Sequence, residues 1–137
     1  MKATKPLMSQ FFDGIPDGQK RPRVFQSRGR TIAWSPKSLW RTSVFAAALV
    51  NRPRTPHDSA LYVRLMFVMP VPKSDPSRNG PHTVKPDLDN LSKSVLDALK
   101  DAGWFVDDSR IAQLEISKCY SSAGQRPGCY VSVDKMS

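Results

Sequence analysis

KPDLDNLSKSVLDALKDAGWFVDDSRIAQLEIS, residues 85–117, is the stretch that decides the fold. From Asp89 to Ala102, the apolar residues Leu91, Val95, Ala98 and Ala102 recur at helical spacing and line one face. Asp89, Lys93 and Asp97 stand four apart and line the opposite flank. Gly103 ends the helix. After Trp104-Phe105-Val106 and Asp107-Asp108, the residues Ala112, Leu114 and Ile116 alternate with Gln113, Glu115 and Ser117. That alternation predicts a strand with one dry and one wet face.

The segments on either side extend the pattern. Leu61 to Met69 reads as a strand apolar on both faces, as expected near the centre of a sheet. Residues 70–86 form a loop of 17 residues with five prolines, long enough to suggest a purpose or an insertion. Upstream, Ser35 and Pro36 suit the start of a helix that runs through Leu39, Trp40, Val44, Ala47 and Ala48 toward Asn51. Pro53 and Pro56 stop it. Arg21 to Trp34 reads as a hairpin turning at Ser27-Arg28-Gly29-Arg30. Residues 1–20, broken by Gly14, Pro16 and Gly18, read as an irregular arm. Ser121 to Gly128 is turn-rich and leads into a last strand, Cys129 to Asp134. The order of elements predicts an α+β fold: a single domain over 1–137, with one mixed sheet and two main helices packed on it.

Charge narrows the partner. The 137 residues carry 21 Lys plus Arg against 12 Asp plus Glu, a net charge of +9. Residues 1–54 hold 11 basic and 2 acidic residues, and residues 55–137 hold 10 of each, so the whole excess lies in the first part. A bunched positive charge points to a polyanion, with Lys20, Arg21, Arg23, Arg28 and Arg30 as the expected phosphate contacts. A hydrophobic fraction of 39% excludes a wholly disordered chain. No apolar run approaches the roughly 20 residues that span a bilayer. Cys119 and Cys129 are too few for a disulfide framework or a four-ligand zinc site, and they fall on opposite strand parities. No apolar signal segment follows Met1. The expectation is a cytoplasmic protein with reduced thiols.

The chemistry is expected from carboxylates. Asp87 and Asp89 are two apart at a helix entrance, and Asp108 follows Asp89 by 19 residues at the start of a strand that a sheet could bring alongside. Carboxylates packed together repel and their pKa values rise unless a cation joins them. Mg²⁺ favours one or two carboxylates plus water and substrate phosphate. Lys93, one turn after Asp89, can neutralise it or hold a phosphate oxygen. Asp87 or Asp89 also suits a helix cap, and Asp107-Asp108 a turn. An EF-hand loop fails for want of its Gly and terminal Glu. His57 and His82 read as surface or loop residues, because a metal-activated water needs no histidine.

Lys85-Pro86-Asp87-Leu88-Asp89-Asn90-Leu91, Lys93, Asp97-Ala98-Leu99 and Trp104 to Ile111 resemble the signature of the RusA family. The resemblance is dense over 85–111 and loose along the flanks. It implies a small dimeric α+β crossover-junction endodeoxyribonuclease, often carried by prophages. Such an enzyme resolves Holliday junctions by symmetric nicks in DNA recombination and repair, with Mg²⁺ or Mn²⁺. It implies Asp87, Asp89 and Asp108 as catalytic metal ligands, Lys93 as a functional lysine, and Asp97 and Asp107 in support. Lys85 joins the expected DNA contacts. A binding module without catalysis, and a nuclease for other branched DNA, are the alternatives.

Overall fold

The computed structural model describes residues 4–18, 23–34 and 38–137. Strand β1 is Thr4–Asp13, β2 Arg23–Ser27, β3 Arg30–Trp34, helix α1 Leu39–Val50 and β4 Leu61–Met69. Helix α2 is Leu88–Asp101, a short 3-10 turn spans Asp108–Arg110, and β5 (Ile111–Tyr120) and β6 (Gly128–Met136) close the chain. Four strands form one sheet in the order β1-β6-β4-β5. β4 is central, antiparallel to β6 and parallel to β5. The result is the expected α+β arrangement of a mixed sheet with two helices.

The parallel pair fixes where the site can be. Parallel neighbours need a crossover, and α2 supplies it. The chain leaves β4 at Met69, traverses the 70–86 loop, and enters α2 level with the C-terminal end of β4. It then descends the helix and starts β5 beside Leu61, at the opposite end of the sheet. The turn after α2 is held there by reciprocal backbone bonds, His57 N–H to the Trp104 carbonyl at 3.0 Å and Val106 N–H to the His57 carbonyl at 3.1 Å.

One face of the sheet is covered. Val63, Leu65 and Phe67 of β4, Val131 and Val133 of β6, and Phe12 of β1 pack against Trp40 and Val44 of α1 and Leu91, Val95 and Leu99 of α2. Burial of these apolar side chains is the main force holding sheet and helices together. Trp104 lies in the same core and donates its indole N–H to the Ala48 carbonyl at 3.0 Å.

Four expectations need correction. Residues 4–13 form β1, paired with β6, where an irregular arm was expected. A register shift between Pro6 and Met8 interrupts its alternation, so the pattern is hidden in the sequence. The cap of α1 is Ser38, whose hydroxyl accepts from the Arg41 N–H; Ser35 and Pro36 lie outside the described residues. Leu39, expected on the apolar face of α1, is 87% exposed. β4 is central, but its second face is dry only at the C-terminal end: Val68 is fully buried there, whereas Arg64 and Met66 are exposed.

The predicted dry face of β5 does turn toward the helices, since Leu114 pairs with Val63 and Ile116 with Leu65. Ala112 and Leu114 stay exposed because β5 is an edge strand. Cys119 pairs with Val68 and Cys129 with Phe67, so the two thiols face opposite sides of the sheet, and both are free.

Candidate active site

Asp87 stands at the N-cap position of α2, where an aspartate ordinarily accepts a hydrogen bond from the first turn. It makes no such bond. Its carboxylate instead accepts from the Lys85 ammonium at 3.0 Å, with both side chains largely exposed. Asp89 lies in the first turn, exposed, where the helix dipole favours an anion. Among the described residues its carboxylate enters no hydrogen bond or ion pair. Lys93 is exposed one turn further on.

The backbone leading into Asp87 is pinned. Lys118 of β5 donates to the carbonyls of Val84 and Pro86, each at 2.6 Å. His82 N–H donates to the Lys118 carbonyl at 3.3 Å, and Tyr120 N–H to that of Gly80 at 2.9 Å. The last part of the proline-rich loop is thus laced to the end of β5. Lys118 escaped the sequence reading, although a lysine on the apolar parity of β5 is a usable signal.

Asp107 and Asp108 sit at the other end of α2. Asp107 caps the 3-10 turn by accepting from the Ser109 N–H at 3.0 Å, and it pairs with Lys100 at 3.3 Å. The Ser109 bonds and then Lys100 hold its carboxyl well below the usual carboxylate range. Asp108 contrasts with it. Burial first, and then the charge of Asp97, push its pKa up; Lys100 opposes this, while Asp107 and Asp101 add to it. No hydrogen bond or ion pair among the described residues engages its carboxylate. Asp101 is occupied by Arg41 at 2.6 Å.

The expected trio is therefore divided. Eight residues of helix, about 12 Å, separate Asp89 from Asp97, the closest-acting acid on Asp108. Asp89 is not among the charges that move Asp108. Among the described residues, no three His, Cys, Asp or Glu side chains converge as a metal set within one chain. Each end nonetheless suits a hard cation. The donors are carboxylate oxygens, Asp89 and Asp108 are unengaged, and Mg²⁺ asks for only one or two carboxylates beside water and phosphate.

A cleft of about 730 Å³ adjoins the Asp87 end, with Asp17, Ser38, Trp40, His82, Tyr120 and Pro86 among its walls. In sequence, Asp17 and Ser38 lie on either side of the segment that carries the β2–β3 hairpin. Its turn has Arg28 and Gly29 at φ 51° and 74°, the paired left-handed conformation of a two-residue hairpin turn. Arg28 and Arg30 are exposed there, and Arg23 lies in β2. Lys20 and Arg21 fall outside the described residues. His82 is buried against Tyr120, ring centroids 4.8 Å apart, rather than on the surface. Burial, and then Lys118, lower its pKa. His57 is half-buried, and burial, then Lys135, lower its pKa.

A small mixed-sheet protein with unengaged aspartates, Asp89 and Asp108, at the two ends of one helix, and a basic hairpin in the same chain, has the makings of a nucleic-acid phosphodiesterase. The comparisons make this specific. The family model for endodeoxyribonuclease RusA matches residues 13–134, and the chain belongs to that family. A Bacillus subtilis (strain 168) protein described as "Uncharacterized protein YqaN" is 31% identical over 120 residues, covering 79% of this chain and 84% of its own length. Among the described residues no helix is long and apolar enough to cross a membrane.

Proposed function

We propose that this chain is a cytoplasmic Holliday junction resolvase, acting as a homodimer with Mg²⁺ or Mn²⁺ and nicking four-way DNA at two symmetric positions. The observation that carries the reading is a set of acids in a chain of this family that the fold hardly uses: Asp87 caps nothing and pairs only with the exposed Lys85, and Asp89 and Asp108 are unengaged among the described residues. A structural role would have used them, as it uses Asp107.

In this reading Asp87, Asp89 and Asp108 hold the cation, which when bound lowers the pKa of water and clamps phosphoryl oxygens. Lys93 steadies the scissile phosphate or the leaving oxygen. Asp97 supports the site by its negative charge, which helps to raise the pKa of Asp108, and Asp107 fixes the backbone beside it. Arg28 and Arg30, with Lys85, contact phosphates without reading sequence, so binding weakens steeply with salt. A four-way junction offers two equivalent strands, and a two-fold dimer presents one site to each.

The dimer also answers the division of the trio. With the two acid groups at opposite ends of α2, two helices related by a two-fold axis can bring Asp87 and Asp89 of one protomer to Asp108 of the partner subunit. Each shared site then gathers all three carboxylates.

The test uses a synthetic four-way junction beside linear duplex, flap and single strand, with and without Mg²⁺. Paired symmetric nicks confined to the junction, dependent on the cation and lost in Asp89→Asn, are the expected result. Junction binding without any cutting supports a binding module instead, and cutting of flaps alone a nuclease for other branched DNA.

A further inference from the structure

We infer that Lys118 is a positioning residue for the acidic motif, an assignment that rests on the nuclease reading above. Its ammonium has three N–H donors. Two go to the carbonyls of Val84 and Pro86, at 2.6 Å each, and these carbonyls flank Lys85. The Pro86 carbonyl shares a planar peptide unit with the Asp87 N–H. Holding that oxygen fixes the plane, and with it the direction in which the Asp87 Cα–Cβ bond leaves the backbone. Asp87 needs this support because its own side chain makes no cap bond to α2.

The clamp has a rigid base. Lys118 pairs with Phe67, a fully buried residue of the central strand, so its backbone is set by the sheet rather than by the loop it grips. The backbone bonds from His82 to Lys118 and from Tyr120 to Gly80 bring residues 80–82 alongside β5. Beyond His82, the Lys118 side chain carries the tie onward to residues 84 and 86. Lys118 therefore transmits the geometry of the sheet to the first carboxylate of the motif. Charged donors make the strong hydrogen bonds, which suits a clamp on an otherwise exposed segment.

Two variants test this. Lys118→Met keeps length and removes the donors, and Lys118→Arg keeps donors. Residues that orient metal ligands typically cost about 10–100-fold in metal affinity or activity when removed. Lys118→Met is expected to lose that factor both in Mn²⁺ affinity, read by calorimetry without DNA, and in kcat on the junction. Metal-free junction binding should stay within about twofold and the melting temperature within a few degrees, with Lys118→Arg recovering part of both losses. Wild-type Mn²⁺ affinity in Lys118→Met overturns the inference. So does a loss of junction binding as large as the loss of cutting, which makes Lys118 a DNA contact. If the wild-type protein cuts no junction, the nuclease reading fails on its own, and the Mn²⁺ arm still judges Lys118.

Discussion

At the N-terminal end of α2, Asp87 occupies a cap position and leaves it unused, turning to Lys85 and solvent while Lys118 holds the backbone behind it. At the C-terminal end, Asp107 caps the next turn, binds Lys100 and leaves nothing idle, while Asp108 beside it is crowded by Asp97 and Asp101. The helix dipole sharpens the contrast. It favours Asp89 at the entrance and disfavours acids near the exit. An acid can therefore stay idle at the first end at little cost, whereas at the second Asp108 carries a penalty that a bound cation would relieve. Residue type alone does not separate structural from functional aspartates; what each carboxylate has already spent its oxygens on does.

The largest effects at the two ends of α2 are expected in activity. Asp89→Asn and Asp108→Asn should each cut junction cleavage at least about a hundredfold in a single-turnover assay, even though they sit at opposite ends of α2. If only one end matters, the two ends do not serve one chemistry. Asp107→Ala should lower the melting temperature, through the lost cap and Lys100 pair, while cleavage stays within about tenfold. Its depressed pKa adds a pH signature: the stability Asp107 gives is present above the unfolded value near 3.8 and is lost as pH falls through the folded value below it.

Asp108→Asn should act in the opposite sense on stability. A raised folded pKa means that ionising Asp108 weakens the fold as pH climbs above 3.8. The variant should melt about 1–2 °C higher than wild type at pH 7, a modest gain because solvent screens the group, and the difference should vanish below pH 3.8. The smallest effect belongs to Asp87→Asn, whose melting temperature should match wild type within about 1 °C, since no cap bond is lost. A clear drop there would mean that Asp87 caps the helix in solution.

Much of this was legible in the sequence because it is written locally. The 3.6-residue spacing of Leu91, Val95, Ala98 and Ala102 specifies α2, and the Leu61–Met69 run specifies β4. Arg28-Gly29 specifies the hairpin turn. What escaped depends on distant partners. Thr4–Asp13 becomes a strand only by pairing with β6, across a register shift beside Pro6 that blurs its alternation. The acidic motif suggested carboxylates drawn together, but the parallel pairing of β4 and β5 makes α2 span the sheet and sets Asp87 and Asp108 apart. Lys118 is marked in the sequence only by a charge on the apolar parity of β5; its role depends on distant partners, the carbonyls of Val84 and Pro86.

If the two ends of α2 form one site across a dimer, as proposed, two inactive subunits should complement each other when mixed. Asp89→Asn and Asp108→Asn proteins, each inactive alone, are combined in equal amounts, allowed to exchange subunits, and given a four-way junction with Mg²⁺. Half of the dimers become mixed, and each mixed dimer holds one site with both defects and one intact site. Nicking should return to about a quarter of the wild-type rate. A mixture as inactive as its two components would contradict the shared site and confine the chemistry to acids within a single chain.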